Sequence, residues 1–276
     1  MNLLKDLVTN VRQALDEDIG DGDVTASLIP DSLSSTATVI LREEAVICGQ
    51  PWFDEVFRQL DDQVSITWQV PEASLQPADT LLCTLDGNAR SLLAGERTAL
   101  NFLQLLSGTA TTTRQYATAL KGLPASILDT RKTIPGLRLA QKYAVAAGGG
   151  RNHRIGLYDQ ILIKENHIAA AGSIARAVAS ARQQYPHLKI EVETENLNEF
   201  RQALETAADI IMLDNFSLDD MRRAVGINHG QKQLEASGNV TLDSVRNIAA
   251  TGVDYISCGA LTKNLDSIDL SMRFRQ

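Results

Sequence analysis

IEVETENLNEFRQALETAADIIMLD, residues 190–214, is the stretch that decides the fold. Two short apolar runs, IEVE (190–193) and IIMLD (210–214), enclose the amphipathic segment LNEFRQAL (197–204). Runs this short and this apolar read as strands covered on both faces, and a helical segment between them reads as a crossover joining parallel strands. Working outward, the same grammar governs the chain after about Gly108. The runs are SILD (126–129), ILIK (161–164), IEVE, IIMLD, QLEAS (233–237) and YISCG (255–259), with helical stretches such as ARAVASARQQY and LDSVRNIAA between them. This alternation predicts an α/β domain with a parallel sheet, either a barrel or a doubly wound sheet.

Upstream the pattern is different. Leu3, Leu4, Leu7, Val8, Val11 and Leu15 recur at helical spacing, so the chain opens on an amphipathic helix. TATVIL, VSITWQV and TLLCTLDG are short strands separated by turn signals, and PWFDEVFRQL is a helix among them. A second strong helix covers 91–106. The acidic run Asp16–Asp23 has its acids and glycines at the wrong offsets for a calcium loop and reads as a solvated turn.

The totals exclude several classes. The 276 residues are 44% hydrophobic, only 5% aromatic, and carry a net charge of −8. Such a chain is a poor general binder of nucleic acid or anionic membrane. Cys48, Cys83 and Cys258 are odd in number and far apart, so neither a disulfide framework nor a zinc site is expected. The first residues lack a signal-peptide core, and a cytoplasmic location is expected.

Every apolar run of the second half ends on a polar residue or glycine: Asp129 with Arg131, Lys164, Glu193, Asp214, Ser237 with Gly238, and Gly259. In βα barrels, catalytic groups sit at the C-terminal ends of the strands. Between positions 131 and 164 the chain holds seven cations (Arg131, Lys132, Arg138, Lys142, Arg151, Arg154, Lys164) against one acid, Asp159, with His153 among them. Such a cluster in an acidic protein points to a small polyanionic substrate, because guanidinium forks match carboxylates and phosphates. Arg138 and Lys142, four apart, fit a solvated helix face equally well. Glu193 and Asp214 end consecutive strands, where paired carboxylates can hold Mg²⁺, bind ribose hydroxyls or offset a developing oxocarbenium ion. Asp129 and Glu195 are weaker candidates. Ser237-Gly238-Asn239 and Cys258-Gly259-Ala260 leave the last two strands and can cradle a phosphate with backbone N–H groups. Gly148–Gly150 matches no nucleotide motif. His167, His187 and His229 lack metal-ligand spacing and read as surface or capping residues, and Cys258 as a buried strand residue.

ERTALNFLQLLSG (96–108), DTRKTIPGLRLAQKYAVAAGGG (129–150), NHRIGL (152–157), LIKENHI (162–168), EVE (191–193), IIMLDNF (210–216), SGNV (237–240) and SCGALT (257–262) together resemble the quinolinate phosphoribosyltransferase family, as do EDIGDGDVTASLIP (17–30) and DLSMRFR (269–275). The resemblance covers essentially the whole chain. It implies a mixed α/β N-terminal domain over 1–107, joined by the C-terminal segment 267–276, and an open six-stranded, TIM-like α/β barrel over 108–266. It implies transfer of a phosphoribosyl group from phosphoribosyl pyrophosphate to quinolinate with decarboxylation, and a homodimer with shared active sites. By position, Arg131, Lys132, His153, Arg154 and Lys164 would line the substrate pocket, with Arg97 arriving from the other subunit. Glu193 and Asp214 would face the ribose and Mg²⁺, directly or only through phosphoribosyl pyrophosphate. Ser237, Gly238, Asn239 and Gly259 would sit by the 5′-phosphate. Lys132, Lys164, Glu193 and Asp214 are the expected catalytic set, and Arg151 has no assigned role. Two rivals remain: the molybdenum-transport-associated paralogue of the same fold, and a non-catalytic binder of anionic metabolites. A nicotinate-using enzyme would need fewer cations.

Overall fold

The fold is described from a computed structural model, which covers residues 2–274. Contacts divide the chain into two compact units. The first comprises the chain through Arg114, Thr133–Gly149, and everything from Asn264; the second comprises Gln115–Lys132 and Gly150–Lys263. These bounds differ from the 1–107 and 108–266 division that the resemblance implies. The expected break falls inside one long helix, and residues 133–149, counted with the barrel, group with the first unit. Met1, Arg275 and Gln276, at the ends of the expected spans, lie outside the described residues.

In the first unit, α1 (Leu7–Ile19) buries Val11 and Leu15, four residues apart on one face. It starts later than the leucine periodicity suggested, and Leu4 and Val8 are exposed. The acidic run therefore begins in the last turns of α1, and Asp23 Oδ1 then accepts the N–H groups of Thr25 (2.8 Å) and Ala26 (3.0 Å). Strands β1 (Ser34–Leu41) and β2 (Ala45–Val46) precede α2 (Gln50–Leu60), followed by β3 (Ser65–Trp68), β4 (Leu75–Gln76) and β5 (Leu81–Asn88). Helix α2 packs Trp52, Phe53, Val56 and Phe57 into the core, where the Phe53 ring lies 5.3 Å from both Phe57 and Trp68. Aromatic area of this kind dominates a core's energetics. Helix α3 (Ala89–Ala119) is 31 residues long, well beyond the expected 91–106.

The second unit begins at β6 (Ser126–Leu128). Helix α4 (Arg138–Ala147), part of the first unit, comes next in the chain. Then follow β7 (Ile161–Ile163), α5 (Glu165–Ala171), α6 (Ile174–Gln184), β8 (Ile190–Thr194), α7 (Leu197–Leu204), β9 (Ile210–Asp214), α8 (Leu218–Asn228), β10 (Gln233–Ser237), α9 (Leu242–Ala249), β11 (Tyr255–Ser257) and α10 (Ala260–Lys263). All six expected runs are strands. They form one parallel sheet in the order β6-β11-β10-β9-β8-β7, and its outer members β6 and β7 do not pair with each other. Four crossover helices start on a side-chain cap: Ser173, Asn196, Ser217 and Thr241 each accept a backbone N–H from the first turn. A cap of this type is worth about 1 kcal/mol and fixes where each strand exit turns into a helix.

The chain then returns to the first unit. Strand β12 (Leu270–Phe274) pairs antiparallel with β1, giving the sheet order β12-β1-β5-β3. Just before it, the backbone passes so close to α3 that a Cβ on Gly108 would lie 2.0 Å from the Asp266 carbonyl oxygen. Backbone cannot yield as a side chain can. Gly108→Ala should therefore cost about 1–3 kcal/mol as overpacking and lower the melting temperature by several degrees. An unchanged thermal unfolding curve would show that the return segment can shift freely.

Candidate active site

The C-terminal ends of the parallel strands deliver the polar residues to one place. Arg131 and Lys132 follow β6, Lys164 follows β7, Glu193 is on β8, Asp214 ends β9 and Ser237 ends β10. A cavity of about 350 Å³ is lined by Arg131, Lys132, His153, Arg154, Lys164, Glu193, Glu235 and Ser237, among others. Asp214 sits in register beside Ser237, and Gly238 and Asn239 follow Ser237 directly. Gly259 lies against the Lys132 side chain. Arg97 is elsewhere: it is exposed on α3 in the first unit, and among the described residues it makes no ion pair.

The run of seven cations does not act as one cluster. Arg131, Lys132, Arg154 and Lys164 line the cavity, whereas Arg138 and Lys142 belong to α4 of the first unit. Arg138 Nε donates to Thr133 Oγ1 at 3.1 Å. Lys142 is fully buried, which overturns its reading as part of a solvated face. Arg151 pairs by its backbone alongside β6, donating to Ile127 O (2.9 Å) and accepting from Asp129 N (3.1 Å).

The cavity cations are held by specific partners. Lys164 Nζ is paired with Glu193 Oε2. Burial pushes the Glu193 carboxyl above its usual value, Lys164 pulls it back, and the charges of Asp214 and Glu165 push it up again. Burial lowers the Arg154 pKa, and the neighbouring Arg131 lowers it further. The backbone of Lys132 is fixed on both sides: its N–H donates to Thr130 Oγ1 (3.1 Å), and its carbonyl accepts from the buried Thr262 hydroxyl (2.8 Å).

His153 and Arg154 sit on a loop braced by carboxylates. Asp129 accepts the His153 N–H at 2.9 Å and the Asn152 amide at 2.6 Å; Asp159 accepts the N–H groups of Ile155 (2.8 Å) and Gly156 (2.9 Å). Asp129, a weaker candidate for chemistry in the sequence, is fully buried and works as a brace. His167 caps α5 through Nδ1, which accepts the Lys164 N–H at 3.0 Å. Gly238 has φ +101°, and a Cβ there would lie 2.1 Å from Asn215 Oδ1. Asn215 uses this room to donate its amide to Asp214 Oδ2 at 2.8 Å and its N–H to Ser237 O at 2.9 Å.

Two residues were missed by the sequence reading. Glu191 on β8 and Glu235 on β10 are both fully buried, and with His153 they bring one atom each within 4.8 Å of one another. Strands two apart in a flat sheet are separated by about 9–10 Å, so the sheet must curl strongly to bring these side chains together. Burial pushes Glu191 up to about 7. Burial and then the charge of Glu191 push Glu235 up to about 8. The signal that could have found them is the period of two: Glu191 precedes Glu193, and Glu235 precedes Ser237, by two residues on the same strand face.

Comparison with known proteins gives one family over most of the chain. The C-terminal domain of quinolinate phosphoribosyl transferase matches residues 109–273, and its N-terminal domain matches 23–107. The chain is 45% identical to a probable nicotinate-nucleotide pyrophosphorylase (carboxylating) of Synechocystis over 95% of its own length and 90% of that protein's. It is 44% identical to the similarly named Bacillus subtilis protein over 93% and 89%. The solved structure of the nicotinate-nucleotide pyrophosphorylase from Francisella tularensis superposes with a TM-score of 0.96 at 50% identity, covering 100% of this chain and 99% of that one.

The raised acids make stability depend on pH. Glu235 keeps its proton from the usual 4.5 up to about 8 in the fold, so over that window the native state binds more protons than the unfolded chain. The stability this proton retains is fully present below the unfolded value and is lost as pH rises through the folded one. Glu235→Gln cannot ionise. Its melting temperature should gain several degrees on the parent's between about pH 5 and about pH 8. Parallel curves would show that Glu235 is already ionised in the fold.

Proposed function

The chain belongs to the quinolinate phosphoribosyl transferase family, and from that premise we propose that the cavity at the strand ends is where it makes nicotinate mononucleotide, pyrophosphate and CO₂ from quinolinate and phosphoribosyl pyrophosphate. It is a pentosyltransferase of NAD biosynthesis. The observation that carries the site assignment is the convergence of Arg131, Lys132, Arg154 and Lys164 with Glu193 on one cavity.

The residues fit the chemistry. Quinolinate is a dianion and must leave water to react, so its carboxylates need several fixed cations. Arg131, Arg154 and Lys164 supply them, and Lys132 is placed to share this task or to meet the departing pyrophosphate. The pyridine nitrogen attacks ribose C1 and the bond from C1 to pyrophosphate breaks. Positive charge developing at C1 is offset by Glu193 and Asp214. The C2–carboxylate bond of the ring then breaks. CO₂ leaves, the electron pair stays on the ring carbon beside the quaternised nitrogen, and a proton replaces the lost group. Ser237, Gly238, Asn239 and Gly259 leave their strands where a 5′-phosphate would be received by backbone N–H groups.

Glu193 and Asp214 suit a magnesium ion: they are oxygen donors close enough that the Asp214 charge disfavours ionisation of Glu193. When bound, Mg²⁺ would neutralise the pyrophosphate as it departs. We also place the enzyme in the cytoplasm, consistent with three free, buried thiols. None of its described helices is long and apolar enough to cross a membrane.

Purified protein supplied with quinolinate, phosphoribosyl pyrophosphate and Mg²⁺ should release nicotinate mononucleotide, and nicotinate should not replace quinolinate. In that assay Lys164→Ala and Arg154→Ala should each weaken quinolinate by about 1.5–3 kcal/mol, the range for charged hydrogen bonds. Unchanged affinity in both would remove them from the carboxylate site.

Arg97 extends the reading to a homodimer, in which this exposed arginine completes the partner's cavity. Arg97→Ala and Glu193→Ala should each be inactive. After subunit exchange, mixed dimers carry one site with both residues intact. About half the dimers are mixed, so activity should return to roughly a quarter of the parent's. No recovery, with exchange confirmed by mass spectrometry, would assign Arg97 to its own subunit or to neither.

A further inference from the structure

In the wall of the cavity His153 and Glu235 meet Glu191, a trio of side chains at most 8% exposed, which the reaction as described above does not use. The trio has the composition of a metal site, but the histidine's hydrogen bonds decide otherwise. The backbone N–H of Arg154 donates to His153 Nδ1 at 2.7 Å, so that nitrogen spends its lone pair as an acceptor. In the neutral ring Nε2 must then carry the hydrogen. It faces Glu191 Oε2 at 2.9 Å and Glu235 Oε2 at 3.5 Å. A metal on Nε2 would need a second lone pair from the same ring, and hence an imidazolate. The ring is thus a donor to the carboxylates on one side and an acceptor from the loop on the other.

The contacts close into a cycle. Glu191 Oε2 accepts from His153 Nε2 and also from Gln160 Nε2, the latter at 2.9 Å. The Gln160 backbone carbonyl accepts from Arg154 Nη1 at 3.3 Å, and the Arg154 N–H returns to His153. Both ends of Arg154, its backbone N–H and its guanidinium, are therefore tied to one carboxylate through two intermediates. We infer that Glu191 and Glu235 are positioning residues for the dicarboxylate pocket, holding His153 in its Nε2–H form so that the ring and Gln160 together aim Arg154.

Glu235 has a distinct part. Neither of its oxygens has a partner at hydrogen-bond distance and angle, and neither has Oε1 of Glu191. Its polar neighbours are Glu191, His153 and the Ser257 hydroxyl. As a neutral acid it leaves Glu191 the single negative charge of the pair, and Glu191 Oε2 accepts from His153 and Gln160. Two ionised carboxylates there would instead repel one another in a dry interior. The raised values of both acids agree with one retained proton.

The inference rests on the cavity being the quinolinate site, and its test separates the two. Kinetics with each substrate varied in turn should show quinolinate KM raised about 10- to 100-fold in Glu191→Ala and Glu235→Ala, the range for losing a group that orients a ligand. The KM for phosphoribosyl pyrophosphate and kcat should stay within about three-fold of the parent. Glu191→Gln and Glu235→Gln keep an acceptor and a donor in the same places and should restore quinolinate KM to within about three-fold. Unchanged quinolinate KM in the alanine variants, or glutamine variants as impaired as the alanines, would overturn the inference. So would an equal decline in every parameter, as from general loosening. Should the alanine variants fail to fold, nitrogen-15 spectra of His153 in the unmodified, substrate-free protein decide independently of what the cavity binds. They should show a protonated Nε2 and a bare Nδ1, and a protonated Nδ1 at neutral pH would sink the idea.

Discussion

Placing four cations around one small cavity is the constraint from which the second unit's organisation follows. Like charges about 4 Å apart repel by about 4 kcal/mol at the effective dielectric of a protein site. Arg131, Lys132, Arg154 and Lys164 can stay fixed only if carboxylates answer them from the wall. Glu193 does so for Lys164 by direct pairing, and Glu191 does so for Arg154 at one remove. Carboxylates in the wall must come from the inward faces of the strands, and the sheet must curl enough to bring those faces together. The glycine and cap residues at the strand exits then set where each loop begins.

The same constraint separates what was legible in the sequence from what was not. All six parallel strands could be read, because a strand covered on both faces is written as a short, mostly apolar run. The residues at the strand ends could be read for the same reason, since a charge at the end of such a run breaks the pattern. Glu191 and Glu235 sit inside the runs, where a single polar letter looks like noise, and only alternation with the next inward residue marks them. The seven cations misled in the opposite sense. Proximity along the chain joined Arg138 and Lys142 to the rest, but the chain leaves the second unit at Thr133 and returns only at Gly150, taking α4 with it. Helix α3 shows a third failure. Its continuous run to Ala119 passes Gly108 and a stretch of threonines, residues of low helix propensity that packing overrides.

The left-handed positions belong to this logic too. Gly238 reads from the sequence as a place for a phosphate to approach backbone N–H groups. In the fold its missing Cβ also makes room for Asn215, whose amide orients Asp214. One absent side chain thus serves two neighbouring strands. Sequence inspection treats the two strand exits separately and could not have linked them.

The pairing of β12 with β1 bears on how the protein is born. A chain emerges from the ribosome in order, and domains ordinarily condense as they appear. Here β1, made within the first 41 residues, has one flank covered by β5 but waits for Leu270–Phe274 to cover the other. Through nearly all of translation the first unit therefore carries an open sheet edge, the feature most prone to pair with a stranger. The whole second unit must be synthesised within that interval. Completion of the first unit is in effect a checkpoint on synthesis of the rest, because its sheet gains its fourth strand only from a chain that has already delivered its catalytic half.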